Sequence, residues 1–192
     1  VSFVALNALV MQRYMHEYGW QKDDFAQFSI NAHANGSKNP YARFQSPITL
    51  KVYQRAAMIS DPINLFDASP MGDGAAAVVL VPASSLQNNG SKPIIRVLGS
   101  GAATDTIDVA SRPRPVWLTA AELSVNQAYR QAGLGPQDID LFELHDAFTI
   151  MAALSLEAAG FARPGQGPRL ALDGEIIPAG RIPIATRGGL KA

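Results

Sequence analysis

The residue types best suited to chemistry in this chain stand side by side in "ELHDAF", where His145 is followed by Asp146. A histidine ordinarily titrates at about pH 6.5, so it can act as an acid, a base or a neutral hydrogen-bond donor at working pH. A structural interpretation also remains open, in which Asp146 caps a following helix and His145 bonds a buried carbonyl. His-Asp is a short and common pair, so the pair alone does not decide between the two.

A second candidate site is "DASPMGDGAAAVVLV", where Ser69, Gly72 and Gly74 form a tight segment before an apolar run. Such residues would let a ligand approach the backbone and a hydroxyl closely. By composition alone, an ordinary turn before a strand is the better interpretation. The glycines form neither a G-x-G-x-x-G fingerprint nor a P-loop, which argues against nucleotide-phosphate binding in those modes.

The other two histidines carry weaker signals. His16 falls in the last turn of a predicted helix, where a cation suits the helix dipole, so we expect a structural or merely exposed role. His33 precedes the loop "ANGSKNP", where it could contact a ligand. Cysteine is absent, which excludes a cysteine nucleophile, a disulfide and a thiolate metal site within these residues.

The pattern around His145 predicts that a strand ends there and a helix begins. Residues 139–144 form a short apolar run broken by two acids, and residues 147–159 carry apolar side chains at helical spacing before Gly160. Functional groups in open α/β sheets gather at the carboxyl ends of strands, which is where this junction lies.

Further helices are predicted from apolar spacing and capping residues. Residues 2–18 are expected to form a helix with one buried face, made of Phe3, Leu6, Val10 and Tyr14. The other predicted helix starts are Asp23 or Asp24, Ser46-Pro47 and Thr119. Residues 162–169, "ARPGQGPR", are expected to form a loop.

Apolar runs of strand length alternate with these helices. They are "AAAVVLVPA" at 75–83, "PIIRVLGSGAA" at 93–103 and "EIIPAGRIPIAT" at 175–186. This alternation predicts an α/β fold with a mostly parallel sheet. The change in composition between Pro82 and Ser91 marks the expected domain boundary, which divides the chain into 1–82 and 83–192.

The composition of the 192 residues narrows the class of protein. They are 47% hydrophobic and 17% charged, which is enough apolar material for a core. The formal net charge is zero, which argues against nucleic acid or an anionic membrane as the main partner, because both require a basic face. No apolar run reaches the length of about 18 residues needed to span a bilayer. A cytoplasmic protein without a membrane span is therefore expected.

Three segments in order, "DASPMGDGAAAVVLVPA", "ELHDAF" and "GGLKA", resemble the thiolase family. "NAHANGSKNPYARF" is similar to the loop region of its sterol-carrier-protein type, and the resemblance covers nearly the whole chain. It implies the thiolase fold, two similar α/β halves in a five-layered αβαβα arrangement, of which this chain holds only part. Residues 1–82 would be loop-region helices and the last strand of the N-terminal half, and residues 83–192 the truncated start of the C-terminal half.

The resemblance also implies an activity, namely making or breaking carbon–carbon bonds between coenzyme A thioesters through an acyl-cysteine. His145 matches the residue that donates a hydrogen bond toward the enolate oxygen, and Asp146 matches its acidic neighbour. Ala147 and Phe148 match positions that line the acyl pocket, and Ser69 matches a serine that contacts pantetheine. Acyl-CoA and acetyl-CoA are the implied substrates, without a further cofactor. A homodimer or homotetramer is implied as well.

The chain departs from the family pattern in what it lacks. The nucleophilic cysteine of the family lies upstream of Val1, and its Gly-His-Pro and Cys-x-Gly segments follow the position of Ala192. Ala147 stands where sterol-carrier-type enzymes often carry cysteine. We therefore expect a fragment of a longer thiolase, inactive by itself. The alternatives are an acyl-CoA aldolase that works with a small partner subunit, and a thiolase-like protein that binds acyl-CoA or lipid without catalysis.

Overall fold

The computed structural model describes residues 2–85 and 93–192, and its regular elements are mainly helical. The helices are α1 (Phe3–Tyr18), α2 (Ala26–Gly36), α3 (Leu50–Gln54), α4 (Thr119–Ala132), α5 (Thr149–Ala158) and α6 (Gly167–Leu172). The strands are β1 (Met58–Ser60) and β2 (Ile63–Asn64), an antiparallel pair. None of the helices in these two described ranges is long and apolar enough to cross a membrane.

Helix α5 is the centre of the hydrophobic core. Ile150, Leu154 and Leu156 are at most 1% exposed, and helices α1, α2, α4 and α6 all pack against this helix. A helix that is apolar on every side must be surrounded in this way, because any open face would expose hydrocarbon to water. The predicted helix after His145 is therefore confirmed, although it begins at Thr149 rather than at Ala147.

The predicted strands do not form a sheet within the described residues. Val78 and Val79 of the run 75–83 are 84% and 89% exposed, and Ile95 of the next run is 87% exposed. A strand requires a hydrogen-bonded neighbour, and neither run has one among these residues. The predicted parallel pairing is limited, among the described residues, to one bridge between Phe142 and Ile184.

The expected boundary between 1–82 and 83–192 falls largely on residues 86–92, which lie outside the described residues. After this gap, the chain passes along α4, and the backbone N–H of Ser100 donates to Oε1 of Gln131 at 2.9 Å. The domain division consequently stays a prediction.

The first helix agrees with the prediction in its ends but not in its buried face. Ser2 caps α1 through its hydroxyl, and Gly19 ends it at φ 77° in the left-handed region. The buried residues are Asn7, Ala8, Met11 and Tyr14, whereas Phe3 and Leu6 are exposed. The partners of α1, namely α5 and the β1–β2 hairpin, lie along one side of this helix, and their position selects the face.

Four further local predictions need correction. Helix α3 begins after Thr49, whose hydroxyl accepts from Val52, and not at Ser46-Pro47. Thr119 is the first residue of α4 and does not cap it, although the helix ends at Ala132 as predicted. Residues 162–169 are not wholly a loop, because α6 begins at Gly167 with a proline in its first turn, a position that suits a proline without a free N–H. Neither Asp23 nor Asp24 caps α2, because the N-cap of this helix is Phe25 and no side chain bonds there. The carboxylate of Asp24 instead accepts from the N–H of Gln21 at the start of the preceding 3-10 turn.

Candidate functional site

The junction "HDAF" is held by tertiary contacts and not by a helix cap. Phe148 precedes α5 in an extended conformation and makes no side-chain cap, so Asp146 does not cap this helix. The N–H of Thr149, at the start of α5, instead donates to the carbonyl of Asp67 at 3.0 Å. The predicted structural role of Asp146 as a helix cap is therefore wrong.

The carboxylate of Asp146 organises the segment "GGLKA". Its Oδ1 accepts from the N–H of Leu190 at 2.7 Å, across 44 residues of sequence. Gly189 makes this approach at φ 58°, and a Cβ there would lie 2.5 Å from the Asp146 carboxylate. Asp146 is only 2% exposed, and burial raises its pKa although Lys191 and the Leu190 amide oppose the rise.

The segment "DASP" lies directly against "HDAF". The N–H of Ser69 donates to the carbonyl of Ala147 at 2.8 Å, and Ala68 pairs with Phe148 in an antiparallel bridge. The ring of Phe148 is buried and meets Phe3 edge-on at 5.3 Å between centroids. Ser69, Ala147 and Phe148 are thus brought together, as the three residues named for substrate contact.

A cavity of about 560 Å³ opens on the other side of Ser69. Most of its surface is apolar, with Phe44, Ile48 and Phe66 among the residues that line it. His145 lies outside this lining, and its ring is exposed without a hydrogen-bond partner in the described part of the chain. An exposed imidazole is free to donate to a ligand, so the assignment of His145 stays a prediction.

Lys191 supplies a buried positive charge to the same cavity. Its side chain is 2% exposed, and Nζ donates to the backbone carbonyl of Asp67 at 2.8 Å. Burial disfavours the charged ammonium and lowers the pKa of Lys191 from 10.5 to about 8, while Asp146 and Asp67 counteract part of this effect. The ammonium is therefore still mainly protonated at neutral pH.

His33 is the second ionisable group of the cavity. It sits in the last turn of α2, 5% exposed, between the rings of Phe44 and Phe66. Its Nδ1 is buried without a hydrogen-bond partner among the described residues. Burial is the main cause of its lowered pKa; the nearby backbone of Ser46 opposes the shift, and the positive charge of Lys191 adds to it. The imidazole is therefore neutral at neutral pH.

Asp67 ties the site to the core. Its Oδ1 accepts from the hydroxyls of Tyr53 and Thr149, both at 2.7 Å, and its Oδ2 accepts from the N–H of Asn64 at 2.9 Å. Burial raises the pKa of Asp67, whereas these hydrogen bonds lower it. These three hydrogen bonds hold the segment before Ser69 in place.

Sequence reasoning missed Lys191 and Asp67 and undervalued His33. Lys191 lies in "GGLKA", a segment that indicated the resemblance to thiolases but no role for the lysine. Its burial results from the docking of residues 188–192 on α2, where Gly188 lies against Gly36. No local pattern could have indicated this contact. No group of three or more His, Asp or Glu residues in the described ranges could hold a metal ion.

Comparison with known proteins extends these observations. Residues 101–192 match the family described as "Thiolase C-terminal domain-like". The "Acetyl-CoA acetyltransferase" of Methanothermobacter thermautotrophicus is 38% identical over 192 residues, which are 100% of this chain and 50% of that protein. "Sterol carrier protein 2" of Bos taurus is 30% identical over 183 residues, 93% of this chain and 34% of that protein.

A solved structure has a backbone similar to that of this chain. A structure described as "Ltp2-ChsH2(DUF35) aldolase" superposes with a TM-score of 0.91 at 30% identity, over 97% of this chain and 50% of that one. The chain thus spans about half the length of the acetyltransferase and of the aldolase chain that it matches. Residues 101–192 therefore match the thiolase C-terminal family, and the whole chain is thiolase-like in its sequence similarity and in its backbone.

Proposed function

We propose that the full-length protein is a thiolase-type acyl-CoA acyltransferase. It would form or cleave a carbon–carbon bond between acyl-CoA and acetyl-CoA through an acyl-cysteine, without an additional cofactor. The cysteine must lie outside these residues, because the chain contains none. A cytoplasmic homodimer or homotetramer is part of the proposal.

One observation carries this proposal: three sequence motifs converge at one place. Ser69 of "DASP" bonds Ala147 of "HDAF", and Asp146 of "HDAF" bonds Leu190 of "GGLKA". These contacts join positions 44 to 78 residues apart in the sequence, and beside them lies a cavity of about 560 Å³. Cavities of this size accommodate small-molecule ligands or their acyl portions.

Within this arrangement we assign a role to each predicted residue. His145 would donate a hydrogen bond to the thioester oxygen that gains negative charge as the enolate forms. Asp146 would keep the turn around Gly189 in place, so that the chain beyond it is held close to His145. Ser69 would contact the pantetheine arm. Ala147 and Phe148 are not part of the cavity lining but lie against Ser69 and Ala68 of its wall, and would shape the acyl pocket from behind that wall.

The test replaces His145 with alanine in the full-length protein. Loss of one oxyanion donor typically costs a factor of about 10² to 10³ in kcat, so we expect condensation and thiolysis to slow by at least 10². His16→Ala is the matched control, since His16 is likewise exposed but lies at the end of α1. Normal turnover of the His145 variant, measured with acetyl-CoA and acetoacetyl-CoA, would show that His145 is not an oxyanion donor and would favour the structural interpretation.

A second candidate function is an acyl-CoA aldolase that works with a partner subunit. The superposition with the "Ltp2-ChsH2(DUF35) aldolase" favours it, because the backbone agreement is close over nearly the whole chain. Dependence on free coenzyme A separates the two functions. A thiolase requires the thiol as a co-substrate for cleavage, whereas an aldolase releases its products without it. Cleavage of a 3-hydroxyacyl-CoA in the absence of free thiol would therefore favour the aldolase.

A further inference from the structure

The ammonium of Lys191 is a buried cation that lacks an ion-pair partner within residues 2–85 and 93–192. Its single hydrogen bond goes to a backbone carbonyl, that of Asp67. A lysine ammonium has three N–H donors, so two of them remain for another acceptor. A buried charge without a partner is costly, which makes the cavity a site that would favour an anionic ligand.

The nearby carboxylates of Asp67 and Asp146 do not form an ion pair with Lys191. The side chain of Asp67 accepts from Tyr53, Thr149 and Asn64, and that of Asp146 accepts from Leu190. Burial outweighs the attraction that both acids exert on Lys191, since its pKa is lowered and not raised. The ammonium thus has two N–H donors without an acceptor among the described residues.

A second ionisable side chain lines the same space. His33 lines the cavity, and its Nδ1 is buried without a partner in the described residues. Arg43 also lines the cavity, with its Cζ 5.5 Å from the centroid of the Phe44 ring. The polar groups of the cavity are therefore cationic or neutral, while its walls are mainly apolar. This combination suits a short hydrocarbon chain that carries a negative group.

We propose that the cavity selects acyl-CoA substrates whose acyl group bears its own carboxylate. The carboxylate would accept from the Lys191 ammonium, beside the neutral ring of His33, and the methylene groups would lie against Phe44 and Phe66. This inference rests on the proposed function, because it assumes that the acyl portion of a coenzyme A thioester enters here. It adds a substrate class and two residues that determine specificity.

The experiment compares acyl-CoA pairs of equal carbon number in the full-length protein. Succinyl-, glutaryl- and adipyl-CoA are titrated beside butyryl-, pentanoyl- and hexanoyl-CoA, and dissociation constants are measured by calorimetry. In at least one pair we expect the carboxylated thioester to bind tenfold or more tightly, since charge-assisted hydrogen bonds are the stronger ones. Equal or weaker binding of the carboxylated member in all three pairs overturns the inference.

Variants then identify the partner of the carboxylate. Lys191→Met should abolish the preference, because it should weaken binding of the carboxylated thioesters tenfold or more relative to the monocarboxylic thioesters and to free coenzyme A. Lys51→Met, on the exposed surface of α3, is the matched control and should retain the preference. A preference that survives both Lys191→Met and His33→Phe overturns the inference. An equal loss for free coenzyme A also overturns it, since pantetheine would then be the ligand of Lys191. Absence of binding by every thioester would instead refute the proposed function.

Discussion

Lys191 makes the stability of the protein depend on alkaline pH in a defined direction. Its side chain is buried, and its pKa is lowered from 10.5 to about 8. Lys191→Met removes the charge and keeps a side chain of similar length. The difference in unfolding free energy between wild type and this variant therefore isolates the titration of one group.

The magnitude follows from the two pKa values. At 1.36 kcal/mol per pKa unit, the difference between 10.5 and about 8 corresponds to about 3 kcal/mol. Below pH 8, Lys191 is protonated in both states, and the folded protein bears the whole cost of the buried charge. Between about pH 8 and 10.5, the folded state has lost the proton that the unfolded state still holds, so stability rises with pH.

The assay is urea denaturation of the full-length wild type and the variant at several values between pH 7 and pH 10.5. The wild type should gain about 3 kcal/mol relative to Lys191→Met over this interval. Contributions of tyrosines cancel in the difference, because both proteins contain them. Lys51→Met, at an exposed position, should show no such dependence. A difference that stays constant with pH would refute the reasoning, since Lys191 would then be solvated or paired.

Three further substitutions test the packing around the site. Asp146→Asn keeps an oxygen for the Leu190 N–H, so we expect turnover to fall by less than about tenfold, far less than for His145→Ala. Tyr14→Phe removes the hydroxyl that donates to the buried carboxylate of Glu157 and should cost about 1 to 3 kcal/mol in urea denaturation. Leu154→Ala, at the centre of α5, should lower the free energy of unfolding by about 2 to 5 kcal/mol. A smaller loss would mean that the core closes around the void left by the missing side-chain atoms.

The helices could be predicted because their signals are local. Gly19 and Gly133 end α1 and α4 in the left-handed conformation that glycine adopts without strain, and both ends were predicted. The apolar run after His145 likewise indicated α5. The buried face of α1 could not be predicted, because the hairpin and α5 select that face from several apolar side chains.

The strands illustrate the opposite case. The run 75–83 has the composition of a buried strand, yet its valines are exposed in the described structure because no neighbouring strand is present to bond them. Conversely, no strand was predicted for the residues that form the β1–β2 hairpin. Pairing depends on a partner far away in the sequence, which composition cannot specify.

The sequence by itself determined the resemblance to thiolases and the absence of a cysteine nucleophile from these residues. It also determined the positions of Ser69, His145 and Asp146 as candidates, because motifs and composition are properties of the chain alone. Only the tertiary structure decided that Lys191 is buried in a cavity beside His33, and that Asp146 holds the backbone at Leu190. These properties arise when residues more than 40 positions apart exclude water from one another, and burial then shifts the charges that the sequence merely contains.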